Sequence, residues 1–513
     1  MKTSLTQTIV TKLPVLKLQS FGTDRPARIS ISAMILFGAI IVLYSVWRLA
    51  NVGRNCLWID EVYSVQFASA QWPYMLDVVA DDLVHPPLFY VVMKAWMAIG
   101  GQSLVWLKLL PTLFAIATIL PVLLLCRELR LPLFTRNLAL ALMAVNGLLT
   151  HYAQDVRMYP QLMFLSVCSV WLFVKYMDLS ARRCVPLSLL LVNLLLIYTH
   201  YYGWAVVGTE LLYVAWQRRE RLMACCSGFA LLILSYVPWG MLIVQALHQH
   251  RLAENLDWNK RPDVLHVLKL YARMGGAFEP DSGSPVMFAL MNLPLALVAF
   301  PLALWLWQVL RNGRSLKVDS EAQPACVPLL AMLSVLPVAA AILASYVLPQ
   351  SIWGERHLII IVVPALLLLS MSIQRLASPR ARMLFASIAF AWAALTGLHD
   401  PDEPTHWDKL VHDMTIAGMP KSGELKVLST DTNLASHLKY YLAAAKTPRF
   451  EVQHVKDFSC ACETQVWVLF LNRYSKFEQS VREQLAAHGY NVTQALSGGP
   501  AKTRVALWHL CRQ

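Results

Sequence analysis

The chain has 513 residues, 57% of them apolar and only 15% charged, with a net charge of +13 from 44 Lys and Arg against 31 Asp and Glu. A soluble chain carries about 25% charged residues, so this composition excludes disordered, collagen-like and nucleic-acid-arm classes. Its apolar residues lie in long runs that water would not tolerate, which makes it a polytopic α-helical membrane protein.

In chain order the apolar runs are Ile31–Ala50, Leu104–Leu125, Leu138–Leu149, Leu162–Val174, Leu187–Tyr198, Trp204–Trp216, Met223–Leu247, Val286–Leu310, Val327–Leu348, Leu358–Ile373 and Met383–Leu398. A crossing takes about 20 residues, so the shorter runs must extend into their polar flanks. Cytoplasmic loops are rich in Lys and Arg. The first 29 residues hold five, and Arg127–Arg136, Lys175–Arg183, Gln217–Arg221, Arg311–Lys317 and Gln374–Arg382 hold three each, 20 in all. The intervening loops hold nine. Alternation then predicts about 11 transmembrane helices, a cytoplasmic N-terminal segment (1–29), and a C-terminus outside. Orientation accounts for much of the basic charge, and nucleic acid is not an expected partner. One further run, Leu88–Ile99, would break the parity and is read as an interfacial or re-entrant helix on the outer face. The first apolar run is long and lacks a cleavage pattern, which predicts a retained span.

Residues 399–513 differ in character. They hold 13 Lys and Arg and no apolar run long enough to cross. Period-two segments (Lys426–Leu428, Val466–Phe470, Val505–His509) alternate with helical patterns (Leu434–Ala444, Phe477–His488), predicting a small α/β domain outside the membrane. Of the ten cysteines, Cys56, Cys460, Cys462 and Cys511 fall outside on this topology. A disulfide from Cys460 or Cys462 to Cys511 suits an oxidising compartment, and free thiols are the alternative.

Polar clusters mark the outer loops. Trp58-Ile59-Asp60-Glu61 follows the first run, and His85-Pro86-Pro87-Leu88 opens the interfacial helix. His151 to Tyr159 joins the third and fourth spans, and Tyr198-Thr199-His200-Tyr201-Tyr202 the fifth and sixth. A forty-residue loop from about Gln245 to Ser284 follows the seventh, and Trp353-Gly354-Glu355-Arg356-His357 joins the ninth and tenth. Singly each has an ordinary reading: a helix cap, belt aromatics, a snorkelling arginine. Together they place ionisable groups on one face, where such groups mark function.

The chemistry that needs such residues is sugar transfer. An attacking hydroxyl or amine must lose a proton, for which an aspartate can be the base, aided by a second acidic residue that orients it or holds a cation. An anionic lipid phosphate leaving group needs a positive clamp, which an arginine supplies bidentately. Aromatics stack on sugar rings, and a long outer loop can close over the site.

At these residues the chain resembles the membrane glycosyltransferases of the C-type fold, and within them the family 39, protein O-mannosyltransferase-like type, with its bacterial aminoarabinose-transferase-like and Rgt-like relatives. The matching stretches are Trp58-Ile59-Asp60-Glu61-Val62-Tyr63-Ser64, Asp82-Leu83-Val84-His85-Pro86-Pro87-Leu88, Ala153-Gln154-Asp155-Val156-Arg157-Met158-Tyr159, Tyr198-Thr199-His200-Tyr201 and Arg356-His357-Leu358, in order over roughly 30–375. The resemblance implies that Asp60 is the base and Glu61 its partner. It also implies that Asp155 and Arg157 sit near the acceptor or donor head, and that Arg356 contacts the lipid phosphate. His85, Tyr159, His200, Tyr202 and His357 lie in the same stretches and join Arg157 and Arg356 as substrate-binding candidates. Asp155 stands where Glu is usual, and His357 where Tyr is usual.

The expectation is therefore an inverting glycosyltransferase with a membrane domain over 30–398 and an extracytoplasmic α/β domain over 399–513. It would sit in a bacterial plasma (inner) membrane. Its donor would be a polyprenyl-phosphate-linked sugar, and its acceptor an envelope lipid, glycan or protein. The alternatives are a lipid-linked oligosaccharide ligase or polymerase, and a polyprenyl-lipid transporter or flippase. The absence of an internal repeat speaks against a transporter. Whether a divalent cation takes part is left open by the sequence.

Overall fold

The computed structural model describes residues 31–50, 52–178, 184–249, 259–277, 284–312, 326–398, 406–418, 425–429, 431–447, 449–454, 465–471, 475–487, 489–498 and 505–512. The expected cytoplasmic segment and the cysteines Cys460 and Cys462 lie outside these residues. The chain divides into Met1–Ala39 and Ile40–Gln513, and the polar clusters all belong to the second unit.

The helices in order are α1 (Ile31–Leu49), α2 (Ile59–Ser69), α3 (Trp72–Asp82), α4 (Leu88–Gly100), α5 (Leu104–Ala117), α6 (Ile119–Glu128), α7 (Leu133–Val145), α8 (Gly147–Ala153) and α9 (Tyr159–Tyr176). There follow α10 (Cys184–Thr199), α11 (Gly203–Gln217), α12 (Leu222–His248), α13 (Val264–Met274), α14 (Pro285–Met291), α15 (Leu293–Asn312), α16 (Cys326–Val347), α17 (Val362–Gln374) and α18 (Pro379–Leu398). Among the described residues, five helical stretches are long and apolar enough to cross a membrane, or seven if each of two bent pairs is one span. A count of eleven would require joining shorter pieces such as α10 to their flanks. The forty-residue loop expected on the outer side is not featureless, because α13 occupies its middle.

One bent pair shapes the site. Helices α7 and α8 meet at 59°. Asn146 adopts an extended backbone and its side chain caps α8 at Leu149 N–H. The carbonyls released by the break need donors, since an unpaired buried carbonyl is costly. Buried Arg48 supplies them, donating to Met143 and Ala144. The break also lies against α18. A Cβ on Gly397 would run into the Val145 carbonyl, and one on Gly147 would press on Gly397 at 3.2 Å. Deeper in, Ser169, Asn193 and Glu210 join α9, α10 and α11 through side-chain hydrogen bonds. Polar side chains within a bundle serve this interhelical role.

The C-terminal region adds α19 (Trp407–Gly418), β1 (Leu425–Ser429), α20 (Thr432–Ala444), β2 (Phe450–His454), β3 (Gln465–Leu471), α21 (Ser475–Ala487), β4 (Tyr490–Gly498) and β5 (Val505–Arg512). Sheet order is β2-β1-β3-β5-β4, with β1 parallel to β2 and β3, and β5 antiparallel to β3 and β4. In β3, Trp467 and Leu469 pack on one face with Trp407 and Leu438. Val466, Val468 and Phe470 pack on the other with Val481 and Leu485. The three period-two segments and both helical patterns of the sequence are found here; β2, β4 and α19 carried weaker patterns.

This region grips the loop ahead of α2. The Tyr441 hydroxyl accepts from Leu57 N–H at 2.7 Å, and His437 Nε2 meets the Leu57 carbonyl at 2.7 Å. Tyr63 donates to Asn433, and Cys56 to Asp408. Leu57 is three residues from Asp60. Tyr441→Phe should therefore leave a part-buried N–H unpaired and cost about 1–3 kcal/mol. Thermal unfolding of the purified protein checks this; an unchanged midpoint would show that the contact holds nothing.

Candidate functional site

The first turn of α2 separates the two adjacent acids. Glu61 is 1% exposed, and its carboxylate is fully engaged. Oε2 accepts from Trp58 N–H at 2.8 Å, closing the helix N-terminus. Oε1 accepts from Val156 N–H at 2.7 Å and pairs with Lys108 Nζ at 3.4 Å. Glu61 thus ties α2, α5 and the Asp155 loop together. Asp60 points the other way. Its side chain keeps 26% exposure, and Oδ2 accepts from Arg356 Nη1 at 2.9 Å. Of the two acids, Asp60 is the one a solvent-side substrate can reach.

The two arginines also divide. Arg157 is buried, and one of its nitrogens donates to the Asp60 carbonyl and to Ser64 Oγ, both at 3.0 Å. It braces the backbone that carries Asp60. Arg356 remains partly exposed and lies 5.5 Å from the Trp58 ring centre and 5.7 Å from that of Tyr159. Asp155 is buried one loop away. Burial and then the Glu61 carboxylate push its carboxyl above the usual range, against the pull of His151, Lys108 and Arg157. Burial likewise raises Asp82, which Arg157 pulls down.

Three histidines from three separate loops close the cluster. Ring centres are 4.9 Å apart for His85 and His200, 5.8 Å for His85 and His357, and 4.6 Å for His200 and His357. Tyr159 and Tyr202 flank His357 at 5.9 and 5.4 Å. His85 is placed by Leu83, whose left-handed backbone ends α3 and whose carbonyl accepts from the Tyr201 hydroxyl. Burial, then the charges of Arg157 and Arg356, bring His200 down to about 3. Burial also takes His85 well below its ordinary value, with Arg157 the next cause. Both imidazoles are neutral at physiological pH.

The catalytic and substrate-binding candidates of the sequence thus converge on one site at the ends of their helices. The sequence reading missed Lys108, Ser64 and Asp82 as parts of it. Lys108 carried a signal, being a charge inside an apolar run. Asp82 stood in the His85 motif. Ser64 shows itself only through the fold.

No protein-family description and no curated protein matches the sequence. Solved structures do. The chain is similar to ArnT from Cupriavidus metallidurans bound to undecaprenyl phosphate, with TM-score 0.55 and 13% identity over 94% of this chain and 98% of that one. It is similar also to the archaeal oligosaccharyltransferase AglB from Archaeoglobus fulgidus in complex with an inhibitory peptide and a dolichol-phosphate, with TM-score 0.50 and 11% identity over 92% and 74%. The chain has the C-type glycosyltransferase fold.

Two measurements test the site's electrostatics. Glu61→Gln leaves Lys108 buried without its counter-charge, which should cost about 3–5 kcal/mol. Adding Lys108→Met should restore part of the loss, and additive losses in thermal unfolding would deny the coupling. The raised Asp155 carboxyl means that the folded state holds its proton more tightly than the unfolded chain. Stability from this group is then full below the ordinary aspartate range of about 4 and is lost as pH rises toward the folded value. Asp155→Asn should flatten that decline; an identical pH profile would place the charge elsewhere.

Proposed function

We propose that the protein is an inverting glycosyltransferase that moves a sugar from a polyprenyl-phosphate-linked donor to an acceptor lipid, glycan or protein of the cell envelope. The observation that carries this is the Asp60–Arg356 pair, a carboxylate and a guanidinium in contact and both reachable from outside. The acceptor's oxygen or nitrogen attacks the anomeric carbon from the face opposite the phosphate. Its proton passes to Asp60, the sugar–phosphate C–O bond breaks, and the electron pair leaves on the lipid phosphate. A single displacement inverts the anomeric centre.

Arg356 has two partners in this scheme. Before donor binds, it neutralises Asp60. A donor phosphate competes for the guanidinium, and the carboxylate it releases is freer to take a proton. Glu61 and Arg157 hold the α2 turn in place, and Tyr159 and Tyr202 offer faces to the sugar. The proposed reading keeps the site on the outer side of a bacterial inner membrane, with residues 1–29 inside and an extracytoplasmic domain over 399–513. The bound lipid phosphates of ArnT and AglB support a donor of this class.

Purified Asp60→Asn should insert and fold but transfer sugar about 10²–10⁴-fold more slowly. Arg356→Lys keeps charge but loses the planar fork, so donor use should weaken, with Arg356→Ala weaker still. Wild-type turnover in Asp60→Asn, or unaltered donor titration in both arginine variants, would reject the roles.

A further inference from the structure

We infer that His85, His200 and His357 form a three-histidine site for a divalent transition metal, of the open kind that Zn²⁺ occupies. All three are at least nine-tenths buried. One ring nitrogen of each lies within 4.8 Å of the others. Five of their six nitrogens find no hydrogen-bond partner among the described residues. The sixth, His200 Nδ1, faces Tyr202 N–H at 3.1 Å. Buried polar atoms are rarely left unpaired, and three converging imidazoles ask for a common partner.

The spacing fits a metal. With Zn–N near 2.0–2.1 Å and tetrahedral angles, the ring centres of three imidazole ligands stand about 5 Å apart. The observed separations are 4.6, 4.9 and 5.8 Å. Neutral imidazole is the ligating form, and three protein ligands leave a fourth position open. Two features oppose a cation. Arg157 and Arg356 lie close enough to depress His200. Their charge is offset in part by Asp60, which is paired with Arg356. If His200 ligates through Nε2, its proton must sit on Nδ1, so the Tyr202 N–H contact is given up on loading. No carboxylate is needed in the ligand set.

The role of the open position rests on the proposed function. It would take a non-bridging oxygen of the donor phosphate and stabilise the charge that grows there as the sugar leaves.

The test uses the full-length protein in detergent, stripped with a chelator and reloaded with Zn²⁺ or Co²⁺ alone. The expected result is one metal per chain by elemental analysis, and visible Co²⁺ bands of tetrahedral type. His85→Gln, His200→Gln and His357→Gln should each weaken metal binding by more than the ~10–100-fold that losing an outer partner costs. Asp60→Asn should keep its metal. Far-ultraviolet circular dichroism and gel filtration show which variants fold, and His357→Tyr is a second probe where His357→Gln does not. A folded wild type that binds no Zn²⁺ or Co²⁺, or histidine variants that bind as wild type does, would overturn the inference. Polyprenyl phosphate titrated onto stripped and loaded protein separates the two readings. Lipid binding without any metal binding sinks the metal site and leaves the transferase reading standing. Metal bound as expected with no lipid phosphate binding does the reverse.

Discussion

A buried carboxylate sets the geometry on which the site depends. Glu61 draws on donors from three places at once, the Trp58 and Val156 amides and the Lys108 ammonium. An unpaired carboxylate at that depth would be costly, so these partners are obligatory rather than decorative. Meeting them fixes the start of α2 against α5 and the Asp155 loop. The neighbouring side chain, about 100° further round the helix, is then turned outward. Asp60 reaches Arg356 because Glu61 is committed elsewhere. Two adjacent acids that look equivalent in sequence have different physical tasks.

The elements around this turn are irregular for a reason. Lipid tolerates broken helices only where other protein groups satisfy the freed backbone. The α7–α8 break meets that condition with Arg48 on its carbonyls and Asn146 on its amides. Gln154 then returns the favour by donating to the Arg48 and Ala50 carbonyls. The chain leaving α8 therefore enters the Asp155–Arg157 loop from a defined direction. On the other side of α2, Tyr441 and His437 hold Leu57 from the C-terminal region. Asp60 is held from both flanks, the placement that a reaction needing alignment to a fraction of an ångström would require.

Much of this was legible beforehand, and the limits have physical causes. The polar clusters could be read because charge at membrane depth is expensive and stands out against apolar runs. Asp60, Arg157, His200 and Arg356 were found that way, and the fold brings them together. The period-two strands β1, β3 and β5 could be read because apolar residues dominate them. Strand β2, with Glu451, Gln453 and His454 exposed or half-exposed, lacks that signature. The inward turn of Glu61 could not be read, since it depends on a lysine 47 residues away and on an amide 95 residues away. The helix count was the weakest reading, because bends and short helices at the site blur the ends of the spans.

Charge accounting links the electrostatics to the reaction. Around the α2 turn stand four carboxylates, Asp60, Glu61, Asp82 and Asp155, and three cations, Lys108, Arg157 and Arg356. Burial favours the neutral forms of Asp82 and Asp155. Burial thus works against the negative charge set beside Lys108, Arg157 and Arg356, while it also disfavours charge on His85 and His200. In the proposed reaction a lipid phosphodiester donor brings one negative charge. Transfer converts it to a monoester that carries more, since the departing sugar leaves its electron pair on oxygen. Guanidinium groups aimed at that growing charge, and not at the neutral sugar, would favour the transition state over the bound donor. A divalent ion among the three histidines, taking a non-bridging oxygen of that phosphate, would strengthen the same bias.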